Sequence, residues 1–193
     1  VEGLRQLLAA RGVRLTVVDP VASEGLVVSS TKIRELLLEG NVEGAAQLLG
    51  RPHDVEGTVE RGAGRGRGFG FATANVRPEA MLPANGVYAA RALLMGSAMG
   101  VAGGGAAPGG RPILYGAVCN VGVKPTVQEA GPIMAEAHLF DFDGRDLHGE
   151  RIRIAFLERL REERRFPSLE ALLAQIAADA ARARSVLGRP PPM

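Results

Sequence analysis

Residues 86–94 read GVYAARALL, a run of β-branched, aromatic and small apolar residues that is typical of a β-strand. Similar short runs recur from residue 54 onward, and clusters of Gly and Pro separate them without intervening helical patterns. Five or six short strands punctuated in this way predict an antiparallel barrel or sandwich. The other runs are residues 55–60, 113–121, 133–142 and 151–157.

A helix is predicted after the last strand. Ser168 can cap its first turn, and Glu170 places a carboxylate there, where the helix dipole favours negative charge. Apolar side chains then recur at the spacing of one helical face, so we expect the helix to cover the barrel. These side chains are Leu169, Leu172, Leu173, Ile176 and Ala180.

The first 50 residues differ from the rest because they alternate between helical and strand-like patterns. A short strand is predicted at residues 15–18, followed by a helix that begins near Ser29 and ends at Gly40. A second short helix is predicted for residues 41–49, before a break at Gly50. The expected organisation is an α/β segment at 1–50, a β-rich domain at 51–187 and a tail at 188–193.

The composition excludes several classes of protein. Among 193 residues, 46% are hydrophobic, which is enough for a sizeable core, but no run approaches the roughly 18 to 20 apolar residues of a membrane span. The net charge is only +2 and no lysine-rich block is present, so the basic residues do not indicate a nucleic-acid partner. The single Cys119 cannot form an internal disulfide. We expect a cytoplasmic protein with no membrane and no nucleic-acid partner.

The densest chemical signal is the glycine-rich segment 61–75, RGAGRGRGFGFATAN. Its alternating glycines allow backbone N–H groups to converge on an anion, and its arginines add positive charge, so the segment suits a phosphate. The spacing matches neither the G-x-G-x-x-G fingerprint nor a Walker loop, which argues against a dinucleotide-binding domain and a P-loop NTPase.

An alternative interpretation of the same segment is RNA binding. Residues 67–71, RGFGF, match the start of the RNP1 pattern of RNA-recognition domains. The rest of the pattern fails, because Ala72 stands where Val is expected and Ala74 where a stacking aromatic is needed. A single-stranded RNA-binding module therefore stays open as an alternative, as does a glycine-rich hairpin without a ligand.

Two further features suggest a cation and a base. Thr73 and Asn75 point to the same side of an extended segment, so their oxygens can reach one hard cation such as Mg²⁺. Glu136 lies in an otherwise apolar strand, where its carboxylate is at a barrel rim, exposed, or buried and ready to accept a proton from a hydroxyl. His138, on the same face, is expected to be a packed or edge histidine.

A run of charged residues precedes the last helix at residues 161–166, REERRF. Such a run is usually a solvated surface. An arginine beside Phe166 can alternatively clamp a planar ligand, by stacking and through the donors of its guanidinium group.

Taken in order, these segments resemble the riboflavin kinase module of bacterial bifunctional riboflavin kinase/FAD synthetases. The resemblance covers about residues 54–187, and the upstream segments 28–34 and 50–52 resemble the end of that family's FMN adenylyltransferase domain and its linker. The motifs that carry it are the glycine-rich segment with residues 73–75 (TAN), 82–88 (LPANGVY), 120–126 (NVGVKPT), 136–139 (EAHL), 146–149 (DLHG) and 161–166 (REERRF).

The resemblance implies a mainly β protein, a six-stranded antiparallel Greek-key barrel with a C-terminal helix, preceded by an α/β fragment of a nucleotidyltransferase domain. It also implies transfer of the ATP γ-phosphate to the riboflavin 5′-hydroxyl, which yields FMN and ADP. The implied roles are phosphate binding by Gly62, Gly64, Gly66 and Gly68, Mg²⁺ and nucleotide binding by Thr73 and Asn75, catalysis by Glu136, flavin binding by Arg161, and an adenylyltransferase remnant at Ser29, Ser30, Thr31 and Arg34.

Three departures from the family pattern stand out. Ala72 replaces the family's Pro, His148 replaces its Tyr, and residues 95–110, a glycine-rich stretch that predicts a long hairpin loop, form a longer insertion than usual. A non-catalytic flavin-binding remnant is therefore a further alternative. The family's N-terminal nucleotide-binding His motif has no counterpart, so we do not expect this chain to make FAD by itself, although its parent protein is expected to do so. The oligomeric state stays open.

Overall fold

The computed structural model describes residues 1–23, 25–61, 73–95, 112–125 and 130–189. Six antiparallel strands close into a barrel in the order β3-β4-β7-β6-β5-β8. Strands β5, β6 and β7 are sequential neighbours and β8 returns to lie beside β5, which is the Greek-key pattern. The barrel is thus confirmed, and the sandwich is excluded. The strands are β3 Asp54–Glu60, β4 Thr73–Pro78, β5 Gly86–Leu94, β6 Ile113–Pro125, β7 Ala130–Leu139 and β8 Arg151–Arg161.

The predicted bounds hold for β5 and shift for the later strands. Strand β6 continues four residues past the predicted end, and β8 continues through a charged stretch to Arg161, because both pair there with neighbours that sequence patterns do not reveal. Strand β7 ends at Leu139 instead of residue 142, since the chain turns at Asp141, which has a positive φ of 56°. Most of the predicted hairpin loop at 95–110 lies outside the described residues.

Strands β5 and β6 form an uninterrupted hairpin ladder. Their Cα register pairs Gly86 with Val121 at one end and Leu94 with Ile113 at the other. The end of β5 and the start of β6 therefore lie side by side. Along β5, the alternation places Tyr88 inside the barrel, where its hydroxyl donates a hydrogen bond to the Ala84 carbonyl oxygen at 2.5 Å.

The N-terminal segment has its strands at different positions from the predicted one. Residues 15–18 are not a strand, and the exposed side chains of Val17 and Val18 find no neighbouring strand to pair with. A strand forms only where a partner accepts its backbone hydrogen bonds, and that occurs in a two-stranded hairpin that turns at Gly25. The elements of this segment are α1 Glu2–Ala9, β1 Ala22–Ser23 and β2 Leu26–Val27.

Two helices, α2 Ser30–Glu39 and α3 Val42–Leu49, join this segment to the barrel. The predicted caps of α2 are confirmed: the Ser29 side chain accepts a hydrogen bond from the Lys32 N–H, and Gly40 ends the helix in the left-handed conformation. The apolar faces of both helices belong to the same buried cluster as the barrel interior, so one core extends across the predicted boundary at residue 50. The helix side chains in this cluster are Leu36, Leu37, Val42, Ala45 and Leu48.

Phe156 of β8 is fully buried, and its ring contacts two other rings. Its ring meets Tyr88 edge-on with centroids 5.4 Å apart, and it stacks on His53 at 6.2 Å. The Phe156 backbone N–H also donates to the His53 carbonyl oxygen at 2.9 Å. The Phe156 ring of β8 therefore connects the residue before β3 with β5.

The last helix, α4 Leu169–Leu187, begins at the predicted cap, where Ser168 accepts a hydrogen bond from the Ala171 N–H. Its C-terminal half packs against the outer face of the barrel through Ala183 and Val186. Its N-terminal half stays only half-buried and borders a cleft. The helix thus covers the barrel over part of its length. None of the helices in the described part of the chain is long and apolar enough to cross a membrane.

Candidate functional site

One row of outward-facing residues crosses five strands of the barrel. The Cα register pairs Asn75 of β4 with Glu136 of β7, and Glu136 with Asn120 of β6. Asn120 is paired in turn with Val87 of β5, and Val87 with Arg161 of β8. Facing positions on adjacent strands lie about 4.5–5.5 Å apart, so the row brings these distant parts of the sequence together.

A second row runs beside the first. Thr73 is paired with His138, and His138 with Val118. Because side chains alternate along a strand, Thr73 shares its face with Asn75, as the sequence predicts. His138 meets the Phe140 ring edge-on at 5.8 Å, in agreement with the expectation of a packed histidine.

Glu136 is exposed, so of the environments expected for this residue the buried one is excluded. Its neighbours Ala135 and Ala137 are fully buried inside the barrel, so alternation turns Glu136 to the outer face. That face is open to the cleft at this point, and the carboxylate is directly accessible from it.

The cleft has a volume of about 510 Å³ and lies between the two rows, the segment that follows β8, and the N-terminal half of α4. Its wall combines polar, charged and apolar side chains, a mixture that is typical of small-molecule sites. The polar and charged residues are Thr73, Asn120, Glu136, His138, Arg161, Glu163, Arg164 and Asp179, and the apolar residues are Val87, Val118, Phe166, Leu172, Leu173 and Ile176.

Arg161 enters the cleft from the end of β8 and is held by an ion pair with Asp179 of α4 at 2.8 Å. Its guanidinium carbon also lies 5.5 Å from the centre of the Phe166 ring, and that of Arg164 lies 5.0 Å from the same centre. Phe166 is therefore in contact with two guanidinium groups, those of Arg161 and Arg164.

The segment after β8 is attached to the barrel through Glu163. The Asn120 side-chain amide donates a hydrogen bond to the Glu163 carboxylate at 3.0 Å. A Cβ at Gly122 would lie 2.2 Å from the Glu163 carboxylate oxygen, so only glycine leaves room for this carboxylate over β6. Glu163 thus connects the segment to the residue beside Glu136.

Cys119 cannot supply a nucleophile to this cleft. Burial raises the pKa of its thiol, and the Glu136 carboxylate adds to the effect, so the thiol stays protonated at neutral pH. In the described residues no group of three or more His, Cys, Asp or Glu side chains is arranged to hold a metal ion.

The structure brings three of the predicted site residues to the cleft, Thr73, Glu136 and Arg161, and places Asn75 beside Glu136. The glycines Gly62, Gly64, Gly66 and Gly68, together with Ala72, lie outside the described residues. The residues Ser29, Ser30, Thr31 and Arg34 lie exposed at the start of α2, and among the described residues that line the cleft none belongs to that helix.

Sequence reasoning assigned no role to Asn120, Glu163 and Asp179. The first two lie in motifs that the sequence singles out, but their pairing joins positions 43 residues apart. For Asp179 a signal exists: it interrupts an apolar stripe with Ile176 three residues before it and Ala183 four residues after it. A lone acid on such a stripe indicates a buried partner.

Comparisons with known proteins agree with this architecture. A family model described as riboflavin kinase matches residues 49–187. The bifunctional riboflavin kinase/FMN adenylyltransferase of Pseudomonas fluorescens is 38% identical over 91% of this chain and 51% of its own length. The protein of the same name from Bacillus subtilis is 36% identical over 85% of this chain and 48% of its own length.

A solved structure is also similar. A crystal structure described as a macrolide-efflux protein from Streptococcus pneumoniae superimposes with a TM-score of 0.75 and 31% identity, over 95% of this chain and 54% of that one. The chain spans about half the length of the curated relatives it matches. Since the family model covers most of the chain and includes the whole barrel with its cleft, the chain belongs to the riboflavin kinase family.

Proposed function

We propose that this chain transfers the γ-phosphate of ATP to the 5′-hydroxyl of riboflavin, with Glu136 as the general base. The observation that carries the proposal is the row in which Asn75, Glu136 and Asn120 are register partners, with Glu136 and Asn120 on the wall of one cleft. Phosphoryl transfer depends mainly on positioning and on neutralisation of charge, and this row provides fixed polar groups around a single carboxylate.

The proposed role of Glu136 follows from its accessibility. Its carboxylate accepts the proton of the 5′-hydroxyl as the oxygen forms a bond to the γ-phosphorus, and the bond from that phosphorus to the bridging oxygen of ADP breaks. The products are FMN and ADP, and the proton stays on the carboxyl group until water removes it. Asn120 is tied to Glu163 and is held next to this carboxylate.

A divalent cation, for which we propose Mg²⁺, would be held by Thr73 and Asn75. The hydroxyl and amide oxygens of these residues share one face of β4, and hard cations prefer such oxygen donors. When bound, the cation neutralises charge on the nucleotide phosphates. The proposed phosphate contacts of Gly62, Gly64, Gly66 and Gly68 complete this end of the site.

The apolar part of the cleft is the proposed flavin end. Leu172, Leu173 and Ile176 of α4 face it together with Phe166, and the flavin ring system is planar and largely apolar. Arg161 at the same end supplies hydrogen-bond donors for the polar edge of the ring. The alternative of RNA binding is not favoured, because the matching family model and the curated relatives are described as riboflavin kinases.

For the N-terminal part of the chain we propose residues 1–50 as the end of an FMN adenylyltransferase domain and residues 51–187 as the kinase domain, with a tail at 188–193. The relatives' names include both activities. The exposed residues Ser29, Ser30, Thr31 and Arg34 stand at the start of α2, where backbone N–H groups favour phosphate. An ATP-dependent step and a single buried thiol suit the cytoplasm.

The proposal is tested by incubating the purified chain with riboflavin, ATP and Mg²⁺ and separating the flavins by chromatography. We expect FMN to accumulate, and we expect no FMN when EDTA replaces Mg²⁺. Flavin fluorescence quenching without turnover would instead identify a non-catalytic flavin-binding protein. Steeply salt-dependent RNA binding without flavin quenching would contradict the proposal.

The contact between Gly122 and Glu163 gives a second prediction. Gly122→Ala is expected to raise the KM for riboflavin about three- to tenfold, because the new Cβ displaces the Glu163 carboxylate from β6 and costs a charge-assisted hydrogen bond. The fold is expected to survive, since the displaced atoms are the end of a flexible side chain. Steady-state kinetics measure the effect. The matched control is Gly188→Ala, because an added Cβ there meets no atom closer than 3.7 Å and the φ of Gly188 is negative.

A further inference from the structure

Asp179 is the one charged side chain that is buried among the described residues, with 5% of its surface exposed. It lies on α4 at the edge of the cleft, below the apolar residues of the first helical turns. An ionised carboxylate is expensive to bury unless it is paired and hydrogen-bonded. A helix that needs only to cover a barrel would have an apolar residue here, so the carboxylate needs an explanation.

Its partner is Arg161, and the contact is two-pronged. The Arg161 Nε–H donates to Asp179 at 2.9 Å, and Nη2 lies 2.8 Å from the same carboxylate. A paired fork of this kind fixes the plane of the guanidinium group as well as its position. Nη1 donates to the Glu162 carbonyl oxygen at 2.9 Å. Of the five N–H donors of an arginine, these contacts use three and leave two for a ligand.

Gln175 extends the arrangement along α4. Its side-chain amide donates to Asp179 at 2.7 Å, and its carbonyl oxygen accepts a hydrogen bond from Arg164. The two arginines that contact the Phe166 ring are therefore both connected to Asp179, one directly and one through Gln175. The Asp179 carboxylate also neutralises the charge of Arg161. Because the pair carries no net charge, it suits an uncharged ring system as its ligand.

We propose that Asp179 is a positioning residue for the flavin, which acts by orienting Arg161 at the ring end of the cleft. This inference rests on the proposed function. In this scheme Asp179 acts through its ion pair with Arg161 and contacts none of the reacting groups. Its loss should therefore weaken flavin binding and leave the phosphoryl-transfer step unchanged.

The test is Asp179→Asn, which keeps the size of the side chain but removes its charge and one acceptor. We expect the KM for riboflavin and the Kd from flavin fluorescence quenching to rise about tenfold, with kcat and the KM for ATP within about twofold of wild type. The matched control is Asp141→Asn. It removes another Asp–Arg pair of α4, the exposed contact with Arg184 at 3.0 Å, and Asn tolerates the positive φ at this position. The control is expected to keep the wild-type flavin parameters.

A double variant separates positioning from general support of the fold. In an Arg161→Met background, Asp179→Asn is expected to add no further loss of flavin affinity, because the group that it positions is gone. A full additional loss in that background would overturn the inference. So would an unchanged KM for riboflavin in Asp179→Asn when Arg161→Met alone raises it.

Two further measurements keep the outcome decisive. If Asp179→Asn does not fold, Gln175→Ala replaces it and is expected to raise the riboflavin KM in the same direction by a smaller factor, because it removes one hydrogen bond to the carboxylate. An unchanged KM in that variant would overturn the inference. A wild-type chain that neither binds flavin nor makes FMN would contradict the proposed function itself, before any variant is compared.

Discussion

Glu136→Gln is expected to lower kcat for FMN formation by about 10²–10⁴-fold, the range for loss of a general base. Gln has nearly the same size and keeps one oxygen acceptor, but it cannot take the proton of the 5′-hydroxyl. Glu136 is exposed on the outer face of β7, so its replacement leaves the core untouched. Chromatographic measurement of FMN under saturating riboflavin and ATP gives the rate, and fluorescence quenching shows that the flavin still binds.

A surface variant provides the comparison for this loss. Glu79→Gln removes a carboxylate that pairs with Arg151 on the barrel surface, and Glu79 does not line the cleft. Its rate is expected to equal that of the wild type. A Glu136→Gln enzyme that is as fast as this control would remove Glu136 from the role of base and would direct attention to the other carboxylate of the cleft, Glu163.

Phe156→Ala is expected to lower the free energy of unfolding by about 3–5 kcal/mol, the usual cost of removing a buried phenyl ring. Phe156 is fully buried and contacts the rings of Tyr88 and His53, so the substitution leaves a cavity that these neighbours cannot fill. Denaturant unfolding followed by circular dichroism measures the change as a lower midpoint at constant slope.

The control for this loss is Phe142→Ala, because Phe142 is only half-buried and its ring contacts that of Tyr115, with centroids 5.5 Å apart. We expect a loss well below that of Phe156→Ala. If both variants lose the same free energy of unfolding, the buried ring of Phe156 stabilises the fold no more than the half-buried ring of Phe142 does. Because the site draws on five strands, loss of the folded state in Phe156→Ala should remove activity in the same denaturant range.

The strands could be predicted from the sequence because their signals are local. The run at 86–94 matches β5 at both ends, and the caps at Ser29 and Ser168 are confirmed. The choice between barrel and sandwich could not be made from such patterns, since closure depends on β3 pairing with β8, nearly a hundred residues away. The strand predicted at 15–18 is wrong for a related reason: its composition is strand-like, but it has no partner.

The candidate site, too, could be predicted where its signals are local and not where they depend on contacts between distant residues. Alternation correctly places Thr73 and Asn75 on one face, and it turns Glu136 outward, but it does not reveal what covers that face. The cover is formed by α4 and the segment before it, whose contacts with the barrel arise only in the folded chain. For that reason Glu163 and Asp179 had no assigned role, and the exposure of Glu136 was predicted only as one of several possibilities.

The adjacent ends of β5 and β6 have a consequence for how this protein can be modified. Leu94 and Ile113 are register partners, so a connection of any length closes the same ladder, and doubling its length costs only about 0.6 kcal/mol. Leu94 lies seven residues along β5 from Val87, roughly 23 Å from the row that contains Glu136. Because this end of the ladder is far from Glu136, a reporter or a whole domain inserted between β5 and β6 is expected to leave the proposed phosphoryl transfer unaffected.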